Sequence, residues 1–217
     1  MKTALIAGAT GLVGGELLRI LLARPEYDRV VAIGRRKLDV TDPKLAQLVA
    51  DFDRLDEAAD AFRVDDVFCS VGTTLKKAGS QAAQRRVDYD YQLAVARGAL
   101  AGGARQFLLV SSMGADPKST FFYNRIKGEL ERDVAALGLP SVRIFRPSLL
   151  LGERQEVRRG ERIAVKLSPY FGPLMPARVR PILARDVAMA MVHAALGPAA
   201  AGVHIYLNDE VQRLARG

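Results

Sequence analysis

The first two dozen residues restrict the possible architectures most. Residues 3–8 (TALIAG) form an apolar run of strand length. The chain then passes through Gly8-Ala9-Thr10-Gly11-Leu12-Val13-Gly14 into the helical period GLVGGELLRILLARP, which Pro25 ends. Glycines at 8, 11 and 14 let the backbone turn tightly and approach a pyrophosphate, and the third lets the helix lie close to the strand. Amides in the first turn of that helix then face the phosphates. A glycine triplet that follows a strand and opens a helix predicts a dinucleotide site built from Gly8, Thr10, Gly11, Leu12, Val13 and Gly14.

The same alternation continues along the chain. Strands are expected at 30–34, within LAQLVADF, at 65–72, 105–112 and 141–150, and in the last apolar run, GVHIYLND. Helices are expected over LDEAADAF, over one long stretch from Gln81 to Gly103, over the segment closed by Gly138 and Pro140, and over 184–197. Near-continuous apolar strands alternating with helices predict an α/β fold, a Rossmann-like doubly wound parallel sheet covered on both faces. No repeat, low-complexity tract or linker divides it, so residues 1–217 read as one domain. Residues 148–183, where glycines, prolines and charges surround ERIAVKLSPYFG, read as a small lobe on the substrate side.

The net charge of +8 raises the question of nucleic acid. The basic pairs and triplets are scattered, with no interleaved aromatics and no recognition helix, so a basic surface is expected and no nucleic-acid partner. One cysteine, Cys69, excludes an internal disulfide and suits a reducing compartment. No apolar run approaches the roughly 20 residues that cross a bilayer. With no leader signature at the start, the expectation is a cytoplasmic protein without a membrane partner. Two histidines and one cysteine give no metal-ligand spacing. The helix of 81–101 is compatible with a monomer or a homodimer.

The second strand ends in Gly34-Arg35-Arg36, where a site for NAD would place an acidic residue on the ribose hydroxyls. Arginine pairs with a 2′-phosphate that a carboxylate would repel, so NADP(H) is favoured over NAD(H). Asp51 and Phe52 follow the third strand and are placed to flank adenine. Val71-Gly72-Thr73-Thr74 follows the fourth, with Gly72 permitting close backbone approach and the threonines bonding ribose or phosphate.

Tyr123 and Lys127 stand four residues apart in FFYNRIKGEL, so both heads reach one side of a helix. The preceding apolar run ends in Ser111-Ser112. Ser112, eleven positions before the tyrosine, is the choice by spacing, with Ser111 as the alternative. A serine, a tyrosine and a lysine so arranged beside a dinucleotide point to hydride-transfer chemistry. To ionise near neutrality, a phenol with a reference pKa of about 10 must drop about 3 units, or about 4 kcal/mol. An ammonium about 4 Å away at an effective dielectric of about 20 supplies that much.

Taken together, GATGLVGGELL, the SVGTT strand end, VSSMGADPKSTFFYNRIKGELE, FRPSLLLGER and VRPILARDVAMAM resemble the short-chain dehydrogenase/reductase superfamily. They are most similar to its small atypical members related to the Tat-interacting-protein oxidoreductases, over nearly the whole chain. The resemblance implies that Tyr123 donates a proton to a small carbonyl substrate, that Lys127 lowers its pKa and bonds the nicotinamide ribose, and that the serine polarises the carbonyl. It places Arg146, Pro147 and Ser148 beside the nicotinamide ring, and Asp88 where many relatives have asparagine. The lobe is too short for a nucleotide-sugar substrate. The family also contains regulatory binders, so an NADP(H) sensor with little turnover is the other reading. Arg154, Arg158, Arg178 and Arg180 hint at an anionic substrate group, and with Glu153, Glu156 and Glu161 alternating with the first of them they read equally as a solvated charged face.

Overall fold

The computed structural model describes residues 1–152, 176–198 and 200–217. The opening run becomes β1 (Lys2–Ala7), and the helical period after the glycines becomes α1 (Leu12–Ala23). There follow β2 (Tyr27–Gly34), β3 (Leu45–Val49), a 3₁₀ stretch (Phe52–Phe62) and β4 (Asp66–Cys69). Next come α2 (Leu75–Ala78), α3 (Gln81–Arg85), a π-helical turn (Arg86–Asp90) and α4 (Tyr91–Ala101). β5 (Gln106–Val110), α5 (Phe122–Ala135), β6 (Ser141–Arg146) and β7 (Leu150–Leu151) precede β8 (Ile182–Leu183), α6 (Ala184–Leu196), β9 (Gly202–Leu207) and α7 (Asn208–Leu214).

Seven strands form one sheet in the order β3-β2-β1-β4-β5-β6-β9, and every neighbouring pair is parallel. The order reverses at β1, so the crevice beyond the carboxyl ends of β1 and β4 is where ligands settle in such sheets. Side chains alternate across each strand. Leu5 and Ala7 enter the apolar layer that includes Val95, Ala96 and Leu130, and Ala4 and Ile6 enter the layer that includes Leu17, Leu21 and Val187. Burial on both faces explains why the central strands read as continuous apolar runs. β7 and β8 form a separate parallel pair.

Three local expectations change. The short helix expected over LDEAADAF is a 3₁₀ stretch beginning at Phe52, with non-helical backbone at Arg54 and Ala58. Phe52 and Leu55 are both buried, on either side of the non-helical Arg54. The long helix is interrupted by the π-helical turn at Arg86–Asp90. The sixth strand stops at Arg146. Most of the 148–183 lobe, including Arg154, Arg158 and ERIAVKLSPYFG, lies outside the described residues.

At the amino edge of the sheet, four first-of-strand residues meet. Asp66 opens β4 and is fully buried. It accepts from Lys2 Nζ (3.0 Å), Tyr27 Oη (2.6 Å) and Gln106 Nε2 (3.0 Å), which open β1, β2 and β5. Lys2 and Gln106 also donate to the Ala195 carbonyl of α6. Burial, then the Asp66 charge, raise the Tyr27 phenol far above its ordinary range.

Candidate functional site

The glycine loop forms the base of the site. Gly8 has φ +99°, a conformation that side chains disfavour, and a Cβ there would stand 2.6 Å from the Ser70 carbonyl carbon. A Cβ on Gly14 would stand 2.1 Å from the Gly8 carbonyl oxygen. The turn closes with Gly11 N–H donating to Gly8 O at 2.9 Å. Gly11 caps α1 without a side-chain hydrogen bond. The first amides of the helix therefore have neither an intrahelical partner nor a capping side chain, the arrangement that takes an anion. Residues 8–13 line a cleft of about 1390 Å³ that continues along the carboxyl edge of the sheet. A backbone cradle that a single methyl group would fill, beside an uncapped helix start, fits a dinucleotide pyrophosphate.

Arg35 and Arg36 lie at the end of β2 on the cleft wall, exposed. Neither pairs with a carboxylate among the described residues. Phe52 is buried on the same wall, its ring 5.3 Å from that of Tyr91. Asp51 is not on the wall: its carboxylate caps the 3₁₀ stretch, accepting from Asp53 N–H at 3.1 Å. Asp53 takes Arg86 in an ion pair and accepts from Tyr91 Oη at 3.3 Å.

Val71, Gly72, Thr73 and Thr74 border the cleft beyond β4. Several of their polar groups are already engaged. Val71 O accepts from Gln92 Nε2 at 2.7 Å, Thr73 N–H lies 3.4 Å from both Asp88 carboxylate oxygens, and Thr74 Oγ1 caps α2.

The two serines separate. Ser111 is buried, and its hydroxyl donates to Glu131, which also holds the Arg146 guanidinium. The Ser112 hydroxyl donates to the Met113 carbonyl at 3.1 Å and acts on the Tyr123 phenol, although of the two serines it is Ser111 that lines the cleft. Lys127 is only 2 % exposed, and its ammonium donates to Gln92 Oε1 at 3.0 Å and Val110 O at 3.2 Å. Helix α5 reaches this position because Gly128 lies against the loop before it, where a Cβ would meet the Asp116 carbonyl carbon at 2.3 Å.

The electrostatics depart from the expected activation. Although Tyr123 is 38 % exposed as a residue, desolvation of its hydroxyl and then the negative charge of Asp88 push the phenol above its ordinary range, and the Ser112 hydroxyl opposes them. Burial holds the Lys127 ammonium below its ordinary range, against the pull of Asp88, Cys69 and Glu131. Lys127 faces Gln92 and the Val110 carbonyl, so it does not lower Tyr123 here. Burial lifts Asp88 to about 6, with Lys127 opposing.

Arg146, Pro147 and Ser148 do not line the cleft. Arg146 is turned to Glu131, Pro147 O accepts from Met113 N–H at 2.9 Å, and Ser148 is held by Asn208 and the Arg180 carbonyl. Sequence reasoning missed Gln92 and Tyr91, and it noted Asp88 without giving it a role. The four-residue step from Asp88 to Gln92 on an amphipathic helix was the available signal.

A family model described as NAD(P)H-binding matches residues 8–158. Protein HTATIP2 of Rattus norvegicus is 45% identical over 177 residues, covering 80% of this chain and 72% of that protein. The mitochondrial protein FMP52 of Eremothecium gossypii is 33% identical over 218 residues, covering 98% of this chain and 97% of its own. Among solved structures, a UDP-glucose 4-epimerase of Thermus thermophilus in complex with NAD superposes with a TM-score of 0.72 at 16% identity, covering 99% of this chain and 82% of that one. The WbmH enzyme of Bordetella bronchiseptica in complex with NAD+ gives 0.72 at 18%, covering 95% and 75%. These two likenesses show the fold. The expected cytoplasmic location is corrected by the fungal relatives, which are named mitochondrial and point to that compartment instead. No helix of the described residues is long and apolar enough to cross a membrane. The chain belongs to the NAD(P)H-binding family, in an atypical short-chain dehydrogenase/reductase-type branch together with the HTATIP2 and FMP52 proteins.

Proposed function

We propose that this protein is an NADPH-dependent reductase of a small carbonyl compound, with Tyr123 as general acid. The observation that carries the reading is that Tyr123 and the buried ammonium of Lys127, one helical turn apart, both line the dinucleotide cleft, with the Ser112 hydroxyl acting on the phenol. Bound there, the dinucleotide supplies the hydride. Ser112 and Tyr123 present two hydroxyl donors to one carbonyl oxygen. As that oxygen gains negative charge, the Tyr123 hydroxyl gives up its proton and the product is an alcohol. A phenol raised above its ordinary range stays protonated at neutral pH, the form that reduction requires. Arg35 and Arg36 support the 2′-phosphate preference, because they are two exposed guanidinium groups on the cleft wall without carboxylate partners among the described residues.

Two measurements test this. Fluorescence titration should show tighter binding of NADPH than of NADH; equal affinities sink the NADP assignment. A screen of small aldehydes, ketones and quinones should show NADPH oxidation that Tyr123→Phe abolishes. Equal activity in both proteins removes Tyr123 from the chemistry. Tight binding with no oxidation by either leaves the protein as a cofactor-binding regulator.

A further inference from the structure

Gln92, near the start of α4, is fully buried behind the cleft wall and does not line it. Both ends of its amide are engaged. Oε1 accepts from Lys127 Nζ at 3.0 Å, and Nε2 donates to the Val71 carbonyl at 2.7 Å. Val71 follows β4 and Lys127 belongs to α5, and both line the dinucleotide cleft. One side chain from a third element therefore joins two parts of the wall from behind.

The polarity of the two contacts fixes the amide. Turned over, it would set its NH₂ against an ammonium and its oxygen against the Val71 oxygen, and both bonds would be lost. The ammonium itself has three donors. Gln92 and the Val110 carbonyl take two of them, and no other acceptor among the described residues takes the third. Glu131, one turn further along α5, is held by the Arg146 guanidinium and the Ser111 hydroxyl instead. A carboxylate at position 92 would pair with the ammonium from behind and leave the Val71 carbonyl without a donor. A neutral amide serves both neighbours and leaves one N–H and the positive charge to the cleft side.

We propose that Gln92 is a positioning residue of this site: its amide sets the Lys127 ammonium at the cleft, ties it to the Val71 edge, and leaves its charge to the bound dinucleotide. The inference rests on the reading of Lys127 as part of the reductase centre, but the bond between amide and ammonium is measurable without turnover. The other groups whose charge reaches Lys127, namely Asp88, Cys69 and Glu131, are the same in every variant at position 92. A comparison of such variants therefore isolates the amide.

The test is an NMR titration of isotope-labelled lysine in the full chain, with Lys127 assigned by the loss of its signal in Lys127→Arg. Gln92→Met keeps the length of the side chain and removes the acceptor, so the Lys127 midpoint should move down by about 1 to 2 pH units. Gln92→Glu supplies a charged acceptor and should move it up by about 1 to 3 units. A disturbance of packing would shift both variants in one direction, so shifts of the same sign overturn the proposal. A midpoint unmoved in both does the same. If Gln92→Met does not fold, Gln92→Glu decides alone, and any result other than a rise overturns it. Fluorescence titration of Gln92→Glu should also show NADPH binding weakened on the order of tenfold. Unchanged affinity overturns the claim that the neutral amide leaves the charge to the dinucleotide. Oxidation of NADPH is read separately: its absence in the wild type counts against the reductase reading and leaves the lysine titration intact.

Discussion

Ser111 and Ser112 are adjacent in the chain, and their hydroxyls serve different ends: Ser111 donates to buried Glu131, whereas Ser112 donates to the Met113 carbonyl and lowers the Tyr123 phenol. Ser112→Ala should therefore lower kcat/KM on the order of 10²-fold with little change in stability. Ser111→Ala should instead cost about 1 to 3 kcal/mol in urea unfolding, because Glu131 loses a buried donor. The opposite pattern would exchange the two roles.

Gly14→Ala tests the cradle. With the new methyl carbon 2.1 Å from Gly8 O, either α1 or the turn must move. A destabilisation of about 1 to 3 kcal/mol is expected, together with a loss of NADPH affinity by fluorescence titration. Unchanged affinity would show that the turn is not what holds the dinucleotide.

Replacing Arg35 and Arg36 together by alanine should weaken NADPH binding by at least about tenfold while leaving NADH nearly unchanged, since charge-assisted hydrogen bonds contribute about 1.5 to 3 kcal/mol each. An equal loss for both cofactors would mean that the arginines attract the dinucleotide only by general charge.

Asp88 gives a stability signature with a definite sign. Its carboxyl stands at about 6 in the folded protein against 3.8 when unperturbed. Between those values the folded state keeps a proton that the unfolded chain has released. Stability therefore falls as pH rises through this window, by about 3 kcal/mol for a shift of about two units. Urea unfolding at pH 4 and pH 7 should show the fall in the wild type and not in Asp88→Asn.

At the other edge of the sheet, Asp66→Ala removes the acceptor shared by Lys2, Tyr27 and Gln106. The loss should be about 3 to 5 kcal/mol, because the donors stay behind in a buried place. Cofactor affinity measured below the lowered Tm should be nearly unaffected.

The sheet and the glycine turn were legible because each depends on a local pattern. Apolar runs buried on both faces announce parallel strands, and Gly8 and Gly14 are required by contacts with backbone a few residues away or on the next strand. Tyr123 and Lys127 were legible as a pair because one turn of helix relates them. What Lys127 touches was not, since Gln92 is thirty-five positions away and reaches it only after the sheet has formed. The π-helical turn has no composition of its own, and RRVDYD reads as plain helix. Arg146 and Ser148 drew attention as polar residues at a strand end, yet Glu131 and Asn208 claim them from elements distant in sequence. The preference of Asp51 for capping over the cleft follows from a turn that propensity alone does not locate.

The convergence of Lys2, Tyr27 and Gln106 on Asp66 has a consequence for how such a protein can change over time. Strand alignment is anchored at the end of the sheet where no chemistry is expected, by residues that each begin a strand. The opposite end is thereby released from structural duty and can carry a left-handed glycine, exposed arginines and an enclosed lysine at once. Lineages are then free to redraft the working rim for new substrates while inheriting the same keel.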